Sequence, residues 1–151
     1  MTRKTRACTI DSLDEELKSA IRAHAIQYGL EDLESDILMC CETITLHQKK
    51  GFLGGIHTTL SAVYVTRKWL VWADSSGLHD VAVDALPLNQ IDMHDDRTTP
   101  RVAISPEQGL KITGYYTSKN KTGTSFIVLE AEAAGQRFRQ VLNQALRNAA
   151  R

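Results

Sequence analysis

The sequence predicts a mainly β fold of α+β character: a barrel of about seven antiparallel strands with a C-terminal capping helix and an extra N-terminal helix. Three observations carry this reading. The run His57 to Asp74 holds the densest β-branched and aromatic content in the chain. Its two apolar stretches, Leu60 to Val65 and Trp69 to Ala73, flank the polar break Thr66-Arg67-Lys68 as the arms of a tight hairpin flank their turn. Further short apolar runs follow, separated by turn-forming residues. From Ala131 the period changes to helical, with Phe138, Val141, Leu142, Ala145, Leu146 and Ala149 on one stripe.

The hairpin is apolar on both faces. Leu60, Ala62 and Tyr64 alternate with Val63 and Val65, and Trp69, Val71 and Ala73 alternate with Leu70 and Trp72. A sheet wet on one side would show polar residues at every second position. We therefore expect a second sheet or a terminal helix against one face, and another helix or an oligomer partner against the other.

In chain order, residues 1–9 read as a loose basic tail. The first element opens at Ile10-Asp11-Ser12-Leu13-Asp14-Glu15, where Ser12 and Glu15 have capping-box spacing, and its helix runs to about Gly29. Leu13, Leu17, Ala20, Ile21, His24 and Tyr28 form its apolar stripe, with His24 as a packed histidine. Asp11 to Asp36 carries eight acids against Lys18 and Arg22, a charged face that is either solvated or paired with something basic. Ile37 to His47 reads as a long strand with Ile44 and Leu46 inward and Thr43, Thr45 and His47 outward. The loop Gln48 to Gly55 places Lys49 and Lys50 at its shoulder and Phe52 and Leu53 near its tip. Leu78 to Leu86 and Leu88 to Met93 read as strands broken at Pro87, and Val102 to Ile104 as a short extended piece. Leu110 to Tyr116 and Thr124 to Leu129 are strands around a polar turn. Arginines 137, 139, 147 and 151 give the last helix a basic outer surface.

The segments Gly51-Phe52-Leu53-Gly54-Gly55, Val63-Tyr64-Val65-Thr66-Arg67-Lys68-Trp69-Leu70-Val71-Trp72 and Leu86-Pro87-Leu88-Asn89-Gln90-Ile91, with the late Phe126 to Leu129 strand and the Phe138 helix, resemble the bacterial pleckstrin-homology-like and GRAM-like domain family. The resemblance covers residues 37 to 149 and implies a module that binds proteins, itself or lipid. It divides the chain into a basic tail with an acidic amphipathic helix, 1–36, and a domain at 37–151. The family's phosphoinositide-binding members carry a basic motif across the first loop and the next strand. Lys49 and Lys50 match its first part, but Ile56, His57, Thr58 and Thr59 stand where further basic residues would be needed.

Composition narrows the function classes. The 151 residues carry eighteen basic and eighteen acidic side chains, which does not suit a nucleic-acid binder relying on a strongly positive surface. No apolar run follows the N-terminal basic residues and none reaches a membrane-spanning length, so a soluble cytoplasmic protein is expected. Three cysteines, Cys8, Cys40 and Cys41, are an odd number and read as reduced thiols, Cys40 and Cys41 pointing to opposite faces of one strand. His47 with His57, and His94 with Asp92, Asp95 and Asp96, are the sets that could bind a metal, but neither has zinc-site spacing. No nucleophile elbow or activated-cysteine context is present. The expectation is a non-catalytic interaction module without a cofactor or metal, binding a protein or a second copy of itself. The alternative is weak binding to anionic lipid. Lys49, Lys50, Phe52 and Leu53 are the candidate lipid or partner loop, and Leu13, Leu17 and Ile21 the candidate assembly helix.

Overall fold

The computed structural model describes residues 2–30, 33–48, 54–75, 80–91, 103–105, 109–116 and 119–150. Five antiparallel strands lie side by side in chain order: β1 (Thr2–Cys8), β2 (Ile37–Gln48), β3 (Ile56–Thr66), β4 (Trp69–Ser75) and β5 (Val81–Pro87). A second antiparallel sheet holds β6 (Ala103–Ser105), β7 (Gly109–Tyr116) and β8 (Lys121–Val128). Among the described residues two α-helices complete the mainly β fold, α1 (Glu15–Gln27) and α2 (Ala133–Ala149).

Among the described residues the strands do not close into one hydrogen-bonded barrel. An isolated bridge between Ile91 and Gly114 joins the sheets on one side. On the other side side chains complete the link. Thr5 N–H donates to Glu130 Oε2 at 2.7 Å, Glu130 N–H donates to Thr5 Oγ1 at 2.9 Å, and Thr5 Oγ1 shares a 2.8 Å hydrogen bond with Thr43 Oγ1.

The two-faced hairpin is covered as its pattern requires. Val63, Val65, Leu70 and Trp72 pack with Leu110, Ile112 and Ile127 of the second sheet and with Phe138, Leu142 and Leu146 of α2. Ala62, Tyr64, Val71 and Ala73 on the opposite face meet Leu13, Leu17 and Ile21. The hairpin turn is held by Thr66, whose Oγ1 accepts from the N–H groups of Lys68 and Trp69 at 3.1 and 2.9 Å, a local pairing that releases the backbone from the ladder.

Several sequence expectations need correction. Residues 2–8 are not a tail: they form β1, paired with β2 from Thr2 opposite Leu46 to Cys8 opposite Cys40. Its charges hid it, since an edge strand keeps basic residues toward solvent and needs little apolar content. β1 extends the first sheet, and α1 packs on its outer face. Ser12 caps a 3-10 turn with Thr9, and the helix proper starts one step later, where Asp14 accepts from Glu16 N–H at 3.1 Å. Gly29, at φ +72°, ends α1 with Gly29 N–H bonded to Ile26 O and Leu30 N–H to Ala25 O, the paired bonds of a Schellman turn. The strand expected from Leu88 opens instead as a 3-10 turn, Leu88–Gln90, fixed by Leu88 N–H donating to Lys68 O at 2.8 Å; Asp92 and Met93 lie outside the described residues.

Candidate interaction face

Strands β2 and β3 are longer than their neighbours, and the α1 cluster takes in Cys40 of β2 and Leu60, Ala62 and Tyr64 of β3. Alternation fixes what the remainder shows. Cys41 and Val63 face the inner core, so Thr43, Thr45 and His47 of β2 and His57, Thr59 and Ser61 of β3 share that side. The opposite side carries Ile44, Leu46 and Ile56.

The burial of these residues reverses the sequence expectation for β2. Thr43 and Thr45 are each 2% exposed, whereas Ile44 is 38%, Leu46 40% and Ile56 73% exposed. The register explains the reversal. Cys41 is committed to the core, and the Thr5–Thr43–Glu130 hydrogen bonds make a buried threonine tolerable at the closure point. Ile44 and Leu46 are then turned outward. Ile44 lies opposite Leu60, Leu46 opposite Thr58 and Gln48 opposite Ile56, so the three exposed side chains form a two-strand apolar surface. Thr2 and Lys4 of β1 stand opposite Leu46 and Ile44 on its other flank.

Glu42 marks where this open surface meets the covered one. It accepts from Arg6 Nε and Nη2 at 3.0 and 2.6 Å and from Asp14 N–H at 2.9 Å. One carboxylate thereby ties β1, β2 and the approach to α1 together.

The inner polar side holds the histidine pair anticipated from sequence. His47 lies opposite His57 in the ladder, with ring centroids 6.0 Å apart. Among the described residues no group of three metal-ligating side chains forms, and Asp92, His94, Asp95 and Asp96 lie outside them. Asp74 shares this side, opposite Ser61. Burial pushes its carboxyl above the ordinary value of 3.8, the Ser61 hydroxyl lowers it, and Asp84 adds an upward push. A carboxyl raised on folding destabilises the native state where it is charged, so stability falls as pH rises from 3.8 through the folded value. Asp74→Asn is expected to raise the denaturation midpoint at pH 7. That advantage should vanish on titrating toward pH 3.8; a variant less stable than the parent at neutral pH would contradict this account.

The candidate assembly stripe has a different fate. Leu13, Leu17 and Ile21 are buried against this chain's own sheet and offer no free surface. The acidic segment is likewise paired close to home: Arg22 reaches Asp11 and Glu34, Lys18 reaches Glu15, and Arg67 reaches Asp36. The candidate loop residues Lys49, Lys50, Phe52 and Leu53 lie outside the described residues. A separate concavity of about 360 Å³ sits at the β3–β4 turn, lined by Arg67, Lys68, Trp69, Pro87, Asn89 and Ala149.

Nothing in the sequence singles out Thr5, Glu42 and Glu130. Each is polar and isolated in the text, and its role appears only when the first strand is placed in the sheet. No family model matches this chain, and neither the curated proteins nor the solved structures give a match.

Proposed function

We propose that this chain is a non-catalytic interaction module, a pleckstrin-homology-like barrel in outline, that associates with a second copy of itself through the outer side of the β2–β3 hairpin. The observation that carries this is the inverted polarity of the hairpin: threonines buried, isoleucines and a leucine exposed. A contiguous exposed apolar surface on a strand pair is the usual mark of a contact site. Edge-to-edge pairing through β1 is the less favoured geometry, because Glu130 already takes the outward N–H of Thr5 and Lys4 and Arg6 charge that strand. Face-to-face packing about a two-fold axis would use the same residues twice. Full burial of an aliphatic side chain contributes about 1.5–3 kcal/mol. These three are already partly covered, and association itself costs several kcal/mol. The affinity is therefore modest, micromolar in scale. Sedimentation velocity from low to high micromolar concentration is expected to show a dimer that Ile44→Ser with Ile56→Ser converts to monomer. A parent chain that stays monomeric throughout would remove the proposal.

A second reading is weak binding to anionic lipid, favoured by continuity. In the sequence, Lys49, Lys50, Phe52 and Leu53 fall between Gln48, which ends β2, and Ile56, which opens β3. Two lysines contribute about 1 kcal/mol each at an anionic surface, which makes one copy a weak binder and an oligomer a better one. Co-sedimentation with anionic vesicles, parent against Phe52→Ser with Leu53→Ser, separates the readings: equal pelleting, or none, leaves self-association alone.

A further inference from the structure

The three cysteines occupy three different environments. Cys8 stands directly opposite Cys40 in the β1–β2 ladder, and their sulfurs are 3.6 Å apart. Cys8 is half-buried on the terminal edge strand, whereas Cys40 is buried. Cys41 faces the other way into the main core, its Sγ directed at the carbonyl of Ala134 at 3.9 Å. Two thiols in register, one reachable and one sheltered behind it, are the arrangement of an attacking and a resolving cysteine.

We propose that Cys8 and Cys40 are a reversible dithiol–disulfide site, with Cys8 the thiol that reacts first and a low-molecular-weight disulfide as its oxidant. The Cys8 thiolate attacks one sulfur of the oxidant RSSR, forming Cys8–S–S–R and expelling RS⁻. The Cys40 thiol then loses its proton to solvent and attacks the Cys8 sulfur, forming the Cys8–Cys40 bond and expelling a second RS⁻. Two protein thiols are oxidised and one disulfide is reduced to two thiols, so atoms and electrons balance. The sulfurs need to close from 3.6 Å to about 2.05 Å, a movement that an edge strand bonded on one side can supply.

The surroundings assign the order of attack. The Cys8 thiol is held below its ordinary value of 9.0, first by its hydrogen bond with Cys40, then by the Arg6 guanidinium and the Ser12 hydroxyl; burial and Glu42 oppose this. Cys40 is pushed up, chiefly by the same hydrogen bond, then by burial and the neighbouring Cys8 charge. Once Cys8 is capped, its charge no longer opposes ionisation of Cys40, and burial is the chief remaining push. Cys41 is pushed up to about 12 by burial and stays outside the exchange.

The test is incubation of the folded, reduced chain with oxidised glutathione, followed by mass measurement and peptide mapping. The expected product has lost two hydrogens, carries no glutathione and links the peptides of Cys8 and Cys40; dithiothreitol reverses it. Cys40→Ser is expected to stop at a single glutathione adduct on Cys8, while Cys41→Ser behaves as the parent does. Labelling of the parent with a limiting alkylating reagent needs no substitution and is expected to mark Cys8 first. Glutathione retained on the parent, a bond involving Cys41, or first labelling at Cys41 would overturn the proposal.

Discussion

Phe138→Ala is expected to cost about 3–5 kcal/mol of folding stability, the range for removing a buried aromatic ring. Phe138 is fully buried where α2 meets both sheets, in the cluster with Trp72, Leu110 and Leu142. The space left behind cannot easily collapse, because α2 is pinned at its start. Gly135 lies so near the chain at Glu130 that a Cβ there would come within 1.9 Å of the Glu130 carbonyl oxygen. A helix held this close cannot slide inward to refill the cavity. Urea unfolding followed by tryptophan fluorescence measures the loss, since Trp72 shares the cluster. A change below about 0.5 kcal/mol, ordinary for surface sites, would mean that α2 does not close the core.

Leu17→Ala is expected to cost about 2–5 kcal/mol, again the large-to-small range, and it also bears on what α1 is for. Leu17 is fully buried between α1 and the outer face of the first sheet, beside Tyr64 and Val71. If α1 serves as a cover, the variant loses stability while the dimer expected from the β2–β3 face persists at temperatures where the chain stays folded. If the stripe instead drove assembly, the native mass would fall with little change in monomer stability. Denaturation and sedimentation on the same preparation separate these outcomes.

The parts of this fold visible in the sequence are those written in apolar periodicity. The Leu60 to Ala73 hairpin, the α2 stripe and the need for cover on both faces were legible because several large side chains repeat at one spacing. Gly29 was legible because its left-handed backbone suits glycine. What stayed hidden rests on single polar residues. The first strand was masked by Arg3, Lys4 and Arg6, and with it went the roles of Thr5, Glu42 and the Cys8–Cys40 pair, which exist only through pairing across more than thirty residues of chain. The orientation of β2 is not legible in its sequence, because Ile44 and Leu46 look like core residues to any hydrophobicity pattern. Only the register with Cys41 and Val63 shows that they face out, and this is why the candidate contact surface could not be found in the text.

The hydrogen bonds between Thr5 and Glu130 join residues 125 apart, and this sets a schedule on synthesis. The first strand leaves the ribosome long before the residue that guards its outer edge. Until Glu130 and the α2 that follows have emerged, the nascent chain carries an open strand end and an uncovered inner face, a form suited to pairing with another nascent copy. Chains terminated near residue 128 would keep every described strand and lack that guard, so premature stops at this position should yield aggregates in place of shortened, folded monomers.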